Sequence, residues 1–168
     1  MDDALFAAAR SAMERAYAPY SKFSVGAAIR GAGGGIYAGC NVENAAYPQG
    51  CCAEASAISA MVLAGERAIA EVCVIGAGPA LVTPCGGCRQ RLREFAADHV
   101  PIQLCGPDGL RKTVTLGELL PLAFGQIGSG AARGITVSLS FFVCLSLSRS
   151  PSRCAAVTSV TQIGRAHV

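Results

Sequence analysis

Two short cysteine-containing segments constrain the fold of this chain more than any other feature. They are Cys52-Ala53-Glu54 and Pro84-Cys85-Gly86-Gly87-Cys88, and each lies at the predicted start of a helix. A helix N-terminus has free backbone N–H groups and a positive dipole end, which stabilise a thiolate. Cys85 and Cys88 are close enough in sequence for both sulfurs to reach one ion, and Cys52 supplies a third ligand if the two helix starts are adjacent. The sequence therefore predicts a fold that brings these helix starts together.

The number of cysteines in this pattern indicates the type of metal site. Three protein ligands leave the fourth position of a tetrahedral zinc ion open for water, as in catalytic sites, whereas structural sites usually close with four ligands. Glu54, two residues after Cys52, is predicted to lie near the metal without binding it. Cys51 offers a closed four-cysteine site as the alternative. Adjacent residues rarely direct both side chains to one metal, which favours the open site.

Hydrophobic periodicity predicts alternating helices and strands over residues 1–125. The predicted order is a helix at 3–17, strands at 22–29 and 36–43, a helix at 53–64, a strand at 70–76, a helix at 87–97, strands at 100–105 and 111–114, and a helix at 115–120. This order indicates an α/β protein with three layers, α-β-α, around a mixed sheet of about five strands. Cys40, Cys73 and Cys105 lie in predicted strands and are interpreted as small core residues.

The charge distribution separates the chain into two parts and bears on its partners. Residues 1–125 carry ten basic and eleven acidic side chains, whereas residues 126–168 carry four arginines and no acidic residue. The first part lacks the basic excess typical of proteins that bind phosphate backbones, so no nucleic-acid partner is predicted. The second part alternates Ser and Leu, which would fit one more strand, but we predict that it is an appended or non-native tail. The predicted functional domain is therefore residues 1–125.

The cellular compartment bears on how the nine cysteines are interpreted. The N-terminus is acidic and no apolar signal core follows it, so no secretory signal is predicted. A cytoplasmic chain keeps its thiols reduced, and clustered cysteines then indicate metal or catalytic chemistry. The most apolar stretch, residues 135–147, is too short to span a bilayer, so no membrane partner is predicted.

The two cysteine segments match a known signature, which is His-or-Cys-x-Glu followed by Pro-Cys-x-x-Cys in zinc deaminases. Four segments extend the match, namely residues 20–28, 39–47, 84–90 and 119–124, which read YSKFSVGAA, GCNVENAAY, PCGGCRQ and LLPLAF. Over residues 1–125 the chain resembles the short, homotetrameric zinc-dependent cytidine deaminases. The resemblance implies the cytidine deaminase-like fold, one Zn²⁺ per subunit and a homotetramer with shared active sites.

The resemblance also implies a reaction and residue roles. The reaction is hydrolytic deamination of free cytidine and deoxycytidine to uridine and deoxyuridine with release of ammonia, using a zinc-bound hydroxide, in pyrimidine salvage. Cys52, Cys85 and Cys88 would bind zinc, and Glu54 would move the protons. The implied substrate-binding residues are Phe23 against the base, Asn41 and Glu43 at the ribose hydroxyls, Phe124 in a neighbouring subunit's pocket, and Ala53. Tyr47 would lie near a subunit contact.

One position departs from the pattern of many relatives, which have Arg directly after the catalytic Glu. Here that residue is Ala55. Three thiolates and Zn²⁺ sum to −1, which makes bound water a weaker acid than a neutral-ligand site would. We expect Arg89, directly after Cys88, to offset part of this charge together with helix N-terminal N–H groups.

Three other functions fit parts of the sequence. A deaminase of a related small molecule, such as a blasticidin-type nucleoside, would share the zinc site and differ in the pocket. A nucleic-acid-editing deaminase would need a basic groove and aromatic stacking platforms. A non-catalytic zinc-binding module would leave Glu54 without a role.

Overall fold

Residues 3–125, which the computed structural model describes, contain four α-helices and five β-strands in the predicted order. The elements are α1 (Asp3–Glu14), β1 (Val25–Gly31), β2 (Ile36–Cys40), α2 (Ala53–Leu63), β3 (Ile69–Gly76), α3 (Gly86–Phe95), β4 (Pro101–Gly106), β5 (Gly109–Thr115) and α4 (Leu116–Leu119). A short 3₁₀ helix, Tyr47–Gln49, lies between β2 and α2. Within this part of the chain, no helix has the length and apolar character needed to cross a membrane. The predicted tail, 126–168, lies outside the described residues.

The five strands form one mixed sheet in the order β2-β1-β3-β4-β5. Strands β3 and β4 are parallel, and the other neighbouring pairs are antiparallel. The connection between the parallel strands contains α3, which is the usual way for a chain to return to the same end of a sheet. The prediction of a mixed sheet of about five strands is confirmed.

Helices cover both faces of this sheet, because side chains of a strand alternate between its faces. On one face α1 packs through Leu5 and Ala9 against a small cluster, completed by Ala28, Cys73, Ile75 and Cys105. On the other face α2 and α3 pack against the larger cluster, which includes Ala27, Ile29, Val72, Val74, Ile102 and Leu104. The three-layer prediction is therefore confirmed, and Cys73 and Cys105 are core residues as expected. The prediction for Cys40 was wrong: it is only half-buried, because β2 is an edge strand.

Two predicted boundaries near the N-terminus were wrong by several residues. The first helix ends at Glu14 instead of residue 17, because Tyr17 pairs with Val42 and its N–H donates to the carbonyl of Asn41. Strand β1 begins at Val25 instead of residue 22, because Lys22 has a positive φ of 58° and ends a turn. Both regions contact residues 41–43, since Tyr17 pairs with Val42 and the N–H groups of Tyr20 and Ser21 donate to Glu43. Strand β2 accordingly ends at Cys40 instead of residue 43, because the N–H of Glu43 donates to the carbonyl of Tyr17 outside the β1–β2 ladder.

Gly26 lies where α1 crosses β1, and a side chain there would collide with backbone. A Cβ atom at this position would overlap the carbonyl oxygen of Ala9 and the backbone of Met13. We expect Gly26→Ala to lower the free energy of unfolding by about 3 kcal/mol, because the added methyl group collides with backbone atoms that cannot move without distorting α1 or β1. Urea denaturation would measure this. Gly86→Ala is the matched control, because its Cβ would meet no atom within 4 Å. Equal stability of the two variants would contradict the expectation.

Candidate metal centre and active site

The starts of α2 and α3 bring three cysteine side chains together. Cys52 is the N-cap residue of α2 and Cys85 is the N-cap residue of α3, and neither makes a side-chain capping hydrogen bond. Cys88 lies in the first turn of α3. The three sulfur atoms lie within 4.8 Å of one another, and the Sγ atoms of Cys52 and Cys85 are 3.9 Å apart. The predicted convergence of the two helix starts is thus present in the structure.

The sulfur geometry fits a tetrahedral zinc ion. With Zn–S bonds of about 2.3 Å, ligand sulfurs in tetrahedral coordination are about 3.8 Å apart, close to the separation of Cys52 and Cys85. Cys88 is buried, Cys52 is half-buried and Cys85 is exposed. The cluster is therefore closed on the protein side and open toward solvent, as a site that admits water as a fourth ligand requires.

The electrostatics of the cluster favour a bound cation. Burial raises the pKa of the Cys88 thiol, and the nearby Glu54 carboxylate raises it further. Burial also raises the pKa of Cys52. At Cys85 burial acts in the same direction, but hydrogen bonds from the backbone and side chain of Cys88 bring the pKa below its ordinary value. Adjacent thiolates repel one another, and a divalent cation between them removes this penalty.

Glu54 lies beside the sulfur cluster in the first turn of α2. Its side chain is buried, with 5% of the residue exposed, and the Cys88 thiol donates a hydrogen bond to its Oε2 at 3.3 Å. A carboxylate in this position is within reach of a molecule that approaches the open side of the cluster. It can accept or donate a proton there without being one of the three sulfur ligands.

Cys51 does not join the cluster, although it is adjacent to Cys52. Its exposed Sγ lies 3.4 Å from the hydroxyl oxygen of Ser56. Among the described residues, the group that could hold a metal consists of Cys52, Cys85 and Cys88. This placement favours the open three-cysteine site over the closed four-cysteine alternative.

The structure brings Phe23, Asn41 and Glu43 close together at the start of β1 and the end of β2. Asn41 accepts from the Val25 N–H at 2.8 Å and donates to the Phe23 carbonyl at 3.0 Å. Glu43 Oε2 accepts from the N–H groups of Tyr20 and Ser21, at 2.8 and 3.2 Å. Asn41 therefore fixes the backbone around Phe23, a role that its sequence position did not indicate.

A surface cavity of about 420 Å³ lies next to these residues. It is lined by Tyr20, Ser21, Glu43, Asn44, Tyr47 and Gly50. The rings of Tyr20 and Tyr47 meet edge to face, with their centroids 6.2 Å apart. The cavity contains one of the predicted ribose-binding side chains, and its lining does not extend to the cysteine cluster.

The other predicted site residues lie in three different environments. Ala53 is buried at the start of α2. Phe124 is 89% exposed, and its carbonyl accepts a hydrogen bond from the Gln90 side chain at 2.8 Å. The guanidinium of Arg89 donates to oxygen atoms of Thr83, Pro84 and Leu119. Its hydrogen bonds thus go to oxygen acceptors, and its effect on the thiolate charge stays a prediction. The sequence pattern did not predict the hydrogen bond from Gln90 to Phe124.

The family profile described as "Cytidine and deoxycytidylate deaminase zinc-binding region" matches residues 1–104. The chain belongs to this family. A cytidine deaminase of Sporosarcina psychrophila is 42% identical over 122 residues, which cover 73% of this chain and 90% of that relative. A cytidine deaminase of Mycobacterium tuberculosis is 42% identical over 118 residues, which cover 70% of this chain and 84% of the relative. The crystal structure of cytidine deaminase from Burkholderia pseudomallei has a TM-score of 0.70 and 40% identity over 74% of this chain and 99% of that one.

These matches confirm the expected resemblance, the fold and the zinc-binding character of the family. These relatives are named for cytidine, which does not favour the alternative of a blasticidin-type deaminase. They do not address the individual roles of the site residues.

Proposed function

We propose that this chain is a zinc-dependent cytidine deaminase that hydrolyses free cytidine and deoxycytidine to uridine and deoxyuridine. One observation carries the proposal: a buried Glu54 lies beside three cysteine sulfurs that converge at two helix starts. The identity to named cytidine deaminases supports it. Cys52, Cys85 and Cys88 would hold the metal, which when bound acts as a Lewis acid that makes water a nucleophile near neutral pH.

Glu54 would move protons between water and substrate. Its carboxylate accepts the proton of the water that adds to C4 of cytosine, and it passes this proton to N3 of the ring. It then takes the proton of the new C4 hydroxyl and passes it to the C4 amino group, so the C4–N bond breaks, ammonia leaves, the C4 carbonyl forms and the carboxylate is restored. Cytidine and water are consumed, and uridine and ammonia are formed. Burial beside Cys88 keeps the carboxylate at the reacting atoms instead of in solvent.

The segment around β1 and β2 would bind the nucleoside. The half-buried Asn41 and Glu43 retain hydrogen-bonding capacity after their backbone contacts, since a carboxylate offers about four acceptor sites and the Asn41 amide has a second N–H. Glu43 can accept from the 3′-hydroxyl, and Asn41 can donate to the same group through its second amide hydrogen. Phe23 would pack against the base, and Ala53 would line the pocket at the start of α2.

Replacing Glu43 should weaken binding of a sugar that carries the 3′-hydroxyl. Hydrogen bonds from Ser21 and Tyr20 hold the pKa of Glu43 below its ordinary value, so this group is an ionised acceptor at neutral pH. We expect Glu43→Gln to raise KM for cytidine about tenfold with a smaller change in kcat, because a hydrogen bond to a charged group is replaced by a neutral one. Steady-state kinetics with 2′,3′-dideoxycytidine provide the control. An equal change in KM for both nucleosides would argue against a contact with the ribose.

The proposed assembly is a homotetramer with shared active sites, located in the cytoplasm. Two exposed aromatic side chains support the assembly: Phe124, which would reach a neighbouring subunit's pocket, and Tyr47, which is 78% exposed and would lie near a subunit contact. The cytoplasmic location is supported by the need for reduced thiols at the metal site.

We also propose that residues 126–168 are not part of the catalytic domain. A chain that ends at Gly125 should then turn over cytidine at least as fast as the full chain and should form the same tetramer. Light scattering coupled to size-exclusion chromatography would give the mass, and the ultraviolet assay would give the rate. Loss of either property in the shorter chain would show that the domain extends further.

The decisive experiment is to mix the purified zinc-loaded protein with cytidine and follow the ultraviolet change to uridine. Turnover with release of ammonia is expected. A protein with a full zinc content and no turnover of cytidine or deoxycytidine would contradict the proposed function.

A further inference from the structure

The side chain of Arg89 makes hydrogen bonds to the chain just before Cys85, in the second metal-binding segment, residues 84–88. Arg89 follows Cys88 on α3, and its side chain turns back past the start of the helix. Its Nε donates to the carbonyl of Pro84 at 2.8 Å, directly before Cys85, and its Nη2 donates to the Thr83 hydroxyl at 3.2 Å. Pro84 is fully buried. The guanidinium therefore fixes the peptide that leads into Cys85.

The same guanidinium reaches the C-terminal segment, which we define as residues 116–125. Its Nη1 donates to the carbonyl of Leu119 at 2.8 Å, where α4 ends. The N-terminus of α4 is held in place, because Leu116 is buried and Thr115 and Glu118 form a capping box. Arg89 thus joins the metal-binding segment to the end of α4.

Gln90, the residue after Arg89, makes a second connection to the C-terminal segment, five residues beyond Leu119. Its Nε2 donates to the carbonyl of Phe124 at 2.8 Å. Between Leu119 and Phe124 the chain turns outward, with Leu122 at a positive φ of 54° and fully exposed. A non-glycine residue in this conformation needs support from its surroundings. The contact with Gln90 supplies an anchor for the residues that follow Leu122.

The geometry points to Arg89 and Gln90 as a pair of positioning residues that couple the metal-binding segment to the C-terminal segment. Arg89 positions both Cys85 and the end of α4, whereas Gln90 positions Phe124 alone. The inference rests on the proposed function in one respect, since it matters for substrate only if Phe124 contributes to a neighbouring active site. In this arrangement loss of Arg89 loosens both the metal-binding segment and the end of α4, whereas loss of Gln90 loosens only the residues around Phe124.

Arginine is required at position 89 because one planar group must reach three oxygens. Its guanidinium carries five N–H donors in a fixed fork, whereas a lysine ammonium is a compact charge on a flexible stem. Arg89→Lys keeps the positive charge and loses this fork. The substitution therefore separates positioning from charge compensation, which a lysine would preserve.

Three variants of the zinc-loaded full chain test the coupling. Arg89→Lys breaks both connections, Gln90→Leu removes only the donor to Phe124, and Arg67→Lys changes an exposed arginine between α2 and β3 as the control. The measurements are the rate of zinc release to a chelator, the hydrogen exchange of residues 119–125, and KM and kcat for cytidine. The control is expected to match the wild type in all of them.

Arg89→Lys should release zinc about tenfold faster, because loss of a residue that orients metal ligands typically weakens metal binding by at least that factor. It should also speed hydrogen exchange in residues 119–125. Gln90→Leu should speed that exchange and raise KM about fivefold, as expected for one lost hydrogen bond, with kcat and zinc release within about twofold of wild type.

The inference is overturned if Arg89→Lys releases zinc and exchanges like the wild type, or if Gln90→Leu accelerates zinc release as much as Arg89→Lys does. If Arg89→Lys does not fold, hydrogen exchange of the Gln90→Leu variant provides the test. Unchanged exchange in residues 119–125 refutes the coupling, and faster exchange confined to these residues supports it. Failure of the proposed function is seen separately, as a wild-type protein without cytidine turnover, and zinc release and exchange still test the coupling in that case.

Discussion

Glu54→Gln is expected to lower kcat for cytidine by about 10³-fold, the range in which general acid–base groups contribute. The amide has nearly the shape of the carboxylate, so it fits the same buried position beside Cys88. It cannot accept the proton of water and return it to N3 or to the leaving amine. Because Glu54 is not among the three sulfur ligands, the variant should keep the zinc content of the wild type.

The measurement pairs steady-state turnover with zinc analysis on the same preparations. Glu94→Gln is the control, since Glu94 is an exposed carboxylate on α3 and its loss should change neither quantity. A Glu54→Gln variant within tenfold of the wild-type rate would remove Glu54 from the proton transfer. A variant that loses turnover together with its zinc would instead assign Glu54 to the stability of the metal site.

The order of elements and the metal cluster were predictable because their signals are local. Cys52 and Cys85 are both N-cap residues, as the start of each helical pattern indicated. The spacing of Cys85 and Cys88 within one helical turn brings their sulfurs together in almost any fold that keeps α3. Burial on both faces of β1 and β3 likewise follows from their continuous apolar runs and is consistent with a helix layer on each face.

The contacts that shape the rest of the site join segments distant in sequence. Asn41 pairs with Val25 across 16 residues, and Arg89 reaches Leu119 across 30 residues. Such hydrogen bonds depend on how close the folded backbone brings the two groups, and neither partner carries a periodic signal. The sequence therefore indicated a positive charge next to Cys88, but it did not indicate the hydrogen-bond partners of Arg89, which are oxygen atoms of other residues in the chain.

Two adjacent cysteines with different predicted roles, Cys51 and Cys52, directly precede α2 and permit a sharp test of the metal site. Cys52→Ser should weaken zinc binding roughly 10²- to 10³-fold, because the free energy of binding is shared among few ligands and a serine hydroxyl is a poor substitute for thiolate. Turnover should fall with the zinc content. Thermal unfolding should show the same loss, since a ligand that binds only the folded chain stabilises it.

Cys51→Ser removes a sulfur one residue away and is the matched control. Cys51 is exposed and its sulfur lies beside the Ser56 hydroxyl, so we expect this variant to keep its zinc, its turnover and its zinc-dependent melting temperature. Zinc titration in the presence of a competing chelator would measure both affinities. If Cys51→Ser loses zinc as Cys52→Ser does, the site is closed by four cysteines. A closed site has no position for water, and the proposed hydrolysis would then lose its chemical basis.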